Sequence, residues 1–288
     1  DAILRFLDSA GDIPVDERVA CFDNDGTLWC EKPTYIQFDF FVDAMKTAVG
    51  QDPALADKPE FAALLDGDQE ATGAMGLMRI VHALAGLFAG IPPEEFTHRA
   101  RQFMVEGQHA DKGRPVRRMV YQPMLELIDE LRKRDFTISV TTGGGTEFVR
   151  AVSQDLYGVP PELVVGSLIA YEYGRDDGGI PSLTRTAEIF GKPNEGPEKV
   201  ANIQTQLGRR PIFAVGNSGG DREMLEWAVG GQGPRLALLV DHDDDEREYA
   251  YESKAVSFEE EKPIKEVAAD LGWTVVSMAN DWETVFPA

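Results

Sequence analysis

Residues 19–27 read VACFDNDGT, an apolar run that passes directly into two aspartates and a glycine. The first four residues show no polar alternation, which is the pattern of a short strand covered on both faces, as in a parallel sheet. Side chains that follow such a strand lie at its carboxyl end, where open α/β sheets bind their ligands. This stretch therefore predicts an α/β fold with Asp23 and Asp25 at a ligand site.

The alternation of strands and helices continues further along the chain. Apolar runs of strand length occur at residues 136–140, 163–169, 211–215, 236–240 and 273–276, with segments of helical spacing between them. Strands that alternate with helices in this way predict a doubly wound parallel sheet with a Rossmann-like core. Residues 31–116, in contrast, are dominated by helical spacing. We therefore predict an α/β core formed by residues 1–30 and 117–288, with an all-helical insert between these two parts.

Composition excludes several classes of protein. The chain has 50 acidic residues against 28 Lys and Arg, a net charge of −22. Such a field repels phosphate backbones and anionic membrane surfaces, so neither nucleic acid nor a membrane is an expected partner. No stretch approaches the ~20 consecutive apolar residues that span a bilayer. No apolar signal segment is visible, which favours a cytoplasmic location, although a first residue other than Met leaves a processed, exported form open.

Two further polar, glycine-rich clusters follow predicted strands: residues 141–145 read TTGGG and residues 216–221 read GNSGGD. Because parallel strands end at the same edge of a sheet, we expect both clusters to converge on the aspartates. Thr142 offers a hydroxyl group, and Gly143 and Gly144 let a phosphate approach backbone N–H groups just before a helix.

Each pair of polar residues has a catalytic interpretation and a purely structural one. Asp23 can attack as a nucleophile while Asp25 transfers a proton, but an Asx turn explains the same pair. Asn217 and Asp221 carry the oxygen atoms that hard divalent cations prefer, but a turn with an N-capping side chain explains them too. The residues alone leave these alternatives open.

In their order along the chain, the three clusters resemble the signature of the haloacid dehalogenase superfamily of phosphatases. That signature is D-x-D-G-T after the first strand, Thr-Gly-Gly after the second, a lysine, and then G-N-S-x-G-D. The resemblance implies that Asp23 is phosphorylated and that Asp25 is the general acid and base. It also implies that Thr142, with the N–H groups of Gly143 and Gly144, binds the phosphoryl oxygens.

The resemblance further implies a Mg²⁺ cofactor. Its expected ligands are Asp23, the backbone carbonyl of Asp25, and a residue of the last cluster. The commonest pattern in the superfamily has an aspartate where this chain has Asn217. We therefore expect Asn217 or Asp221 to complete the metal site, with modest affinity because an amide oxygen carries no charge.

Two lysines are candidates for the phosphate-binding lysine of the superfamily. Lys192 lies in a Gly-Lys-Pro sequence that resembles the third motif, and we favour it. Lys199 has the helical neighbours Val200 and Ile203, which is also the pattern of a solvated helix residue.

The insert is similar in position to the C1 cap of this superfamily, and its helical character resembles the phosphoserine-phosphatase-like branch. That branch often reads its substrate with an acidic residue just after the first motif. Glu31 lies near that place, but the register differs by one residue, so we predict no amino-acid specificity. We expect a Mg²⁺-dependent phosphomonoester hydrolase that acts on a small phosphorylated metabolite through an aspartyl-phosphate. The alternatives are a phosphotransferase or phosphomutase of the same fold, or a catalytically silent module that binds metal or phosphate.

Overall fold

The computed structural model describes residues 1–288 and confirms the α/β prediction. The strands are β1 (Val19–Phe22), β2 (Thr137–Gly145), β3 (Val164–Arg175), β4 (Pro181–Phe190), β5 (Phe213–Gly216), β6 (Leu236–Asp241) and β7 (Thr274–Ser277). The helices are α1 (Ala2–Ser9), α2 (Ile36–Gln51), α3 (Pro59–Asp66), α4 (Gln69–Met75), α5 (Leu77–Ala85), α6 (Pro93–Glu106), α7 (Gln122–Arg132), α8 (Thr146–Tyr157), α9 (Pro197–Leu207), α10 (Arg222–Val229), α11 (Ile264–Leu271) and α12 (Met278–Asp281).

All seven strands form one sheet in the order β4-β3-β2-β1-β5-β6-β7. Every neighbouring pair is parallel except β3 and β4, which are antiparallel. The strand β1 is completely buried in the middle of the sheet, which explains its unbroken apolar sequence. The chain builds outward from β1 through β2 on one side and later through β5 on the other. The strand order therefore reverses at β1, and an open sheet binds its ligands at such a reversal.

The helices α2 to α6 form the insert between β1 and β2, as the sequence predicts. The insert has a small core of its own, formed by Met45, Phe61, Ile80 and Leu84. It leaves and rejoins the sheet domain at adjacent points, because Trp29 and Val120 form an antiparallel bridge. The division of the chain at residues 31 and 116 stays a prediction.

An aromatic cluster holds the insert against the sheet domain. The ring of Phe40 in α2 lies 5.1 Å from that of Phe88 and 5.6 Å from that of Phe96. On its other side it lies 5.2 Å from Phe148, which belongs to α8 of the sheet domain. Aromatic pairs at these centroid distances attract each other beyond their area of contact, so the two parts of the chain share one continuous core.

The longest apolar stretch of the insert is broken by a glycine. Gly76 separates α4 from α5 and adopts a φ of +81°, a conformation that other residues rarely take. No single helix combines the length and the apolar composition needed to cross a membrane. Only the bent pair Gln69–Met75 and Leu77–Phe88, with 93° between its halves, meets both criteria together.

The strand β4 and the outer half of β3 form a hairpin that the sequence analysis did not predict. Asp176 closes its turn by accepting hydrogen bonds from the N–H groups of Gly178 and Ile180, each at 2.9 Å. The hairpin also contacts the insert through its backbone, since Arg185 N donates to Ile91 O at 2.9 Å. The hairpin thus lies beside the insert, next to the carboxyl edge of the sheet.

Candidate active site

The carboxyl ends of β1 and β2 open into a cavity of about 290 Å³ that lies under the insert. Its floor is lined by Asp23, Asp25, Gly143, Gly144 and Lys199, and its upper wall by side chains of α2 and α5. The structure therefore brings the first two sequence clusters together, as their strand-end positions predict. The third cluster contributes Ser218 and Gly220 to the lining, while Asn217 and Asp221 are buried next to it.

Asp23 is anchored through one carboxylate oxygen and free at the other. Its Oδ1 accepts a hydrogen bond from Lys199 Nζ at 2.6 Å, whereas Oδ2 accepts none from the protein. Burial raises the pKa of Asp23, and the nearby charge of Asp221 raises it further, although Lys199 opposes both effects. A cation that binds at the free oxygen would relieve this cost and keep Asp23 ionised.

Lys199, and not Lys192, is the lysine of the site, which corrects the prediction. Lys199 Nζ donates to Asp23 Oδ1, to Asp221 Oδ1 at 2.5 Å and to the carbonyl oxygen of Thr141 at 3.1 Å. Burial alone would lower the pKa of Lys199, but the two carboxylates raise it, so the ammonium stays charged. Lys192 is 76% exposed and pairs with Glu198 at 2.9 Å. It lies outside the cavity lining.

Asp25 is held by three side chains that donate to its carboxylate. Trp29 Nε1 donates to Oδ1 at 2.8 Å, and Thr142 Oγ1 and Asn24 Nδ2 donate to Oδ2 at 3.3 and 3.4 Å. Burial raises the pKa of Asp25, while these donors partly lower it. A carboxyl group with a raised pKa retains a proton that it can deliver, as a general acid must.

The loop between the two aspartates and Trp29 requires glycine at position 26. Gly26 has a φ of +77°, and a Cβ there would lie 1.9 Å from Asn217 Nδ2. The carbonyl oxygen of Asn24 accepts from the N–H groups of Leu28 and Trp29 at 2.8 and 3.1 Å. This turn brings the Trp29 side chain back to Asp25, which the spacing of the motif alone does not reveal.

The glycine-rich end of β2 packs tightly against the insert. Thr142 Oγ1 accepts from Gly144 N at 2.9 Å, and Gln37 Oε1 from α2 accepts from Gly145 N at 2.8 Å. A Cβ on Gly144 would lie 2.6 Å from Gln37 Oε1, so a larger residue there would displace the Gln37 side chain. Thr142 is fully buried and outside the cavity lining. The hydroxyl of Thr142 contacts Asp25 and Gly144, and its predicted phosphate contact stays a prediction.

Asp221 supports the site from below, and both of its carboxylate oxygens accept hydrogen bonds from the protein. Its Oδ1 binds Lys199, and its Oδ2 accepts from Asn217 N and Ser218 N, both at 3.0 Å, and from Ser218 Oγ at 3.1 Å. A buried carboxylate that accepts hydrogen bonds through both oxygens fixes both the lysine and the loop after β5. The predicted metal contact of Asp221 stays a prediction.

The remaining donor set fits a divalent cation of the Mg²⁺ type. The Asp23 Oδ2 atom and the carbonyl oxygen of Asp25 accept no hydrogen bonds, and Asn217 Oδ1 accepts only one, from Thr27 Oγ1 at 3.3 Å. No group of three or more His, Cys, Asp or Glu side chains is placed to hold a metal. The carboxylates of Asp23, Asp25 and Asp221 nevertheless lie near the one buried ammonium, that of Lys199, and Glu31 is buried beside Asn217. This excess of negative charge favours a cation.

Three further polar residues lie beside the site, and of these the sequence analysis singled out only Glu31, for its place just after the first motif. Glu31 Oε1 accepts from Ser253 Oγ at 2.8 Å and from Asn217 Nδ2 at 3.1 Å, and burial raises the pKa of Glu31. His242 Nε2 lies 2.8 Å from the carbonyl oxygen of Gly26. The only sequence signal for His242 is its position at the carboxyl end of β6. Ser253 lies in a long loop and gave no signal.

Comparison with known proteins identifies relatives of this chain. The sequence model of the haloacid dehalogenase-like hydrolases matches residues 20–226. Among curated proteins, none is similar enough to count as a match. A protein of unknown function from Bordetella pertussis Tohama I has 18% identity and a TM-score of 0.57 over 90% of this chain and 98% of its own.

A second structure, a functionally unknown protein from Anaerococcus prevotii DSM 20548, has 12% identity and a TM-score of 0.54. The match covers 84% of this chain and 85% of that protein. A probable phosphoserine phosphatase from Vibrio cholerae has 14% identity and a TM-score of 0.43, over 80% and 58% of the two chains. The first two similarities confirm the fold.

Proposed function

Because the chain belongs to the haloacid dehalogenase-like hydrolases, we propose that it is a Mg²⁺-dependent hydrolase of phosphomonoesters. Its substrate is a small phosphorylated metabolite, and the reaction passes through an aspartyl-phosphate on Asp23. The observation that carries this proposal is the pairing of two aspartates in different environments on one cavity floor. Asp23 has a free oxygen beside a lysine, and Asp25 is a buried acid held by Trp29.

The phosphoryl group binds between the glycine-rich end of β2 and Lys199. Gly143 and Gly144 line the cavity and allow close approach to the backbone. The helix α8 begins immediately after them, at Thr146, and its N-terminus stabilises negative charge. Lys199 adds a full positive charge that the two carboxylates hold in place. These groups offset the charge on the equatorial oxygens, which is the main catalytic work in phosphoryl transfer.

The two aspartates and a water molecule carry out the bond changes and the proton transfers. The free oxygen of Asp23 attacks phosphorus, the bond from phosphorus to the ester oxygen breaks, and Asp25 gives its proton to the departing alcohol. Asp25, now a carboxylate, then takes a proton from a water molecule that attacks the aspartyl-phosphate. Inorganic phosphate and free Asp23 result. Asp25 loses one proton to the alcohol in the first step and regains one from water in the second, so it ends in its initial protonation state.

Asp23, the carbonyl oxygen of Asp25 and Asn217 would hold the cation. When bound, Mg²⁺ would neutralise charge on the phosphate and on Asp23, which are otherwise mutually repulsive. The fold keeps these ligands in place because Asn217 is fixed through its backbone by Asp221 and through its side chain by Glu31.

The test is release of inorganic phosphate from p-nitrophenyl phosphate and a panel of phosphorylated metabolites, with Mg²⁺ or with EDTA. We expect turnover with Mg²⁺, none with EDTA, and none for Asp23→Asn. The matched control is Asp8→Asn, an exposed aspartate on α1, which keeps full activity. Transfer of phosphate to an added alcohol in place of its release would identify a phosphotransferase. Binding of inorganic phosphate without turnover of any substrate would identify a binding module.

A further inference from the structure

Resting on the proposed hydrolase activity, we propose that the alcohol part of the substrate is apolar. The enzyme would take phosphomonoesters of hydrocarbon alcohols in preference to those of sugars, amino acids or nucleosides. The inference depends on the wall of the cavity and not on its catalytic floor.

The wall above the catalytic floor is built from apolar side chains of the insert and of the hairpin. Helix α2 contributes Phe38 and Phe41, α5 contributes Val81 and Leu84, and β4 contributes Ile189. A hydrocarbon group gains free energy in proportion to the apolar area that it removes from water. A hydroxyl or ammonium group placed against these five side chains would lose its water without gaining a hydrogen bond from them.

Two charged side chains of the wall, Arg185 and Glu147, pair with each other, whereas Lys254 at the opposite side of the lining is exposed to solvent. Arg185 Nε donates to Glu147 Oε2 at 2.6 Å, and another nitrogen of the same guanidinium donates to the carbonyl oxygen of Ala85 at 3.0 Å. Glu147 also accepts from Tyr171 at 2.5 Å. Because Arg185 and Glu147 are already paired, they could bind a polar group of the substrate only if their nearly buried ion pair were first broken.

The other carboxylates of the lining are engaged in the same way. Glu195 accepts from the N–H groups of Val256 and Ser257 at 2.9 and 2.7 Å. Glu31 accepts from Ser253 and Asn217. A carboxylate that is satisfied by the protein gains little from a substrate hydroxyl or ammonium.

The mouth of the cavity extends the apolar surface to solvent. Leu77 and Met78 both line the cavity, yet they are 44% and 48% exposed. They lie at the first turn of α5, directly after the break at Gly76. A hydrocarbon chain that is longer than the enclosed part of the cavity can cover these two side chains, so affinity should continue to rise with chain length.

The experiment compares ethyl, butyl, hexyl and octyl phosphate, whose leaving alcohols have similar basicity. We expect kcat/KM to rise along the series by up to about fourfold per methylene group. The matched polar substrate is 6-aminohexyl phosphate, which has the hexyl chain with a terminal ammonium. We expect its kcat/KM to be at least about tenfold below that of hexyl phosphate. A flat series, or equal rates for the amino compound, would overturn the inference.

A variant at the mouth locates the effect. Met78→Glu should reduce kcat/KM for octyl phosphate by about tenfold, and by less for ethyl phosphate, which is too short to reach the rim. Val105→Glu adds the same charge to an exposed position of α6 outside the cavity and should change neither rate. Met78→Gln repeats the test without a charge. An unchanged preference for octyl phosphate in both Met78 variants contradicts the placement of the chain.

Calorimetric titration with octylphosphonate separates this inference from the proposed function. This compound cannot be hydrolysed, so its binding does not require catalysis. If it binds more tightly than ethylphosphonate while no phosphate ester is hydrolysed, the apolar site stands and the hydrolase proposal fails. If esters are hydrolysed but octylphosphonate binds no better than ethylphosphonate, the hydrolase proposal stands and the apolar site fails.

Discussion

At the scale of single residues, one ammonium group determines the electrostatics of the site. Lys199 lies between Asp23 and Asp221, and the side chains of all three are almost fully buried. Two buried carboxylates at this separation repel each other strongly unless a cation lies between them. The lysine is therefore a structural requirement of the site, in addition to its proposed role in binding phosphate.

Lys199→Met should remove both functions at once. We expect kcat to fall by at least about a hundredfold and the free energy of unfolding to fall by roughly 3–5 kcal/mol, because two buried carboxylates lose their counter-charge. Lys192→Met is the matched control and should change neither quantity, since that side chain is exposed. Phosphate release and urea denaturation of the two variants measure the effects. A functional Lys199→Met enzyme beside an inactive Lys192→Met enzyme would reverse the assignment.

Trp29 is expected to set the pH range of the first chemical step. Its indole N–H donates to Asp25 and lowers the pKa that burial raises. In Trp29→Phe this donor is lost, so the pKa of Asp25 rises further. Asp25 must be protonated to act as the acid, and the alkaline limb of kcat/KM for an alkyl phosphate therefore moves to higher pH, by about one unit.

The pH profile of Trp227→Phe is the control for that shift, because Trp227 lies on α10 outside the cavity lining. Thermal unfolding of both variants checks that the fold is kept. A limb that stays in place, or moves to lower pH, in Trp29→Phe would contradict the role of Asp25 as general acid.

The residues of the site differ in how far the sequence predicts them. Asp23 and Asp25 follow a strand directly, so their place at the sheet edge follows from local pattern. Lys199 lies far from the aspartates along the chain, and the sequence around it does not show whether its side chain is on the buried or the exposed face of α9. The deciding observation is that Ile203, four residues later, is buried on the same face. Glu31, Ser253 and His242 meet only through tertiary packing, and no spacing rule relates them.

At the scale of secondary structure, the hairpin of β3 and β4 is the element that most changes the expected architecture. The sequence predicts the buried start of β3, at residues 163–169, because that part is apolar. It does not predict the outer half, where residues 171–175 are all exposed to solvent. The turn at residues 176–179 reads DDGG, and a turn of this composition is typical of a β-hairpin. Its position against the insert follows only from tertiary contacts.

Arg185 is the main anchor of this hairpin. Arg185→Met leaves Glu147 without its partner in a nearly buried position, and we expect a loss of roughly 3–5 kcal/mol in the free energy of unfolding. Arg175→Met, at the exposed tip of the same hairpin, is the control and should cost less than about 0.5 kcal/mol. Urea denaturation measures both. Equal stability of the two variants would show that the hairpin does not depend on the ion pair.

At the scale of the whole molecule, the protein carries a net charge of −22, yet its proposed substrate is an anion. A field of this sign opposes the approach of a phosphate dianion. The buried lysine and a bound cation act only at short range, whereas the surface charges act over a Debye length of ~10 Å at 0.1 M salt. Approach to the site and binding in it therefore respond to salt in opposite directions.

We expect approach to dominate at low salt. At saturating Mg²⁺, raising the KCl concentration from 10 to 100 mM (chosen so that screening becomes strong) should raise kcat/KM for a dianionic ester severalfold. Thermal unfolding in the same buffers controls for a change in stability. A kcat/KM that falls steadily with salt would mean that local positive charge outweighs the field of the whole protein.

The bridge between Trp29 and Val120 brings the two connections of the insert together at one place in the sheet domain. Cys30 N donates to Met119 O and Tyr121 N donates to Leu28 O, each at 2.9 Å. The segments that lead into and out of the insert are therefore hydrogen-bonded to each other. A recombination event that cuts at both connections would replace the substrate-selecting part of the gene and keep the reactive aspartates. Chimeras joined at these positions should have the chemical reaction of the protein that supplies the sheet domain and the substrate specificity of the protein that supplies the insert. Selection can thus act on the two properties as separate heritable traits.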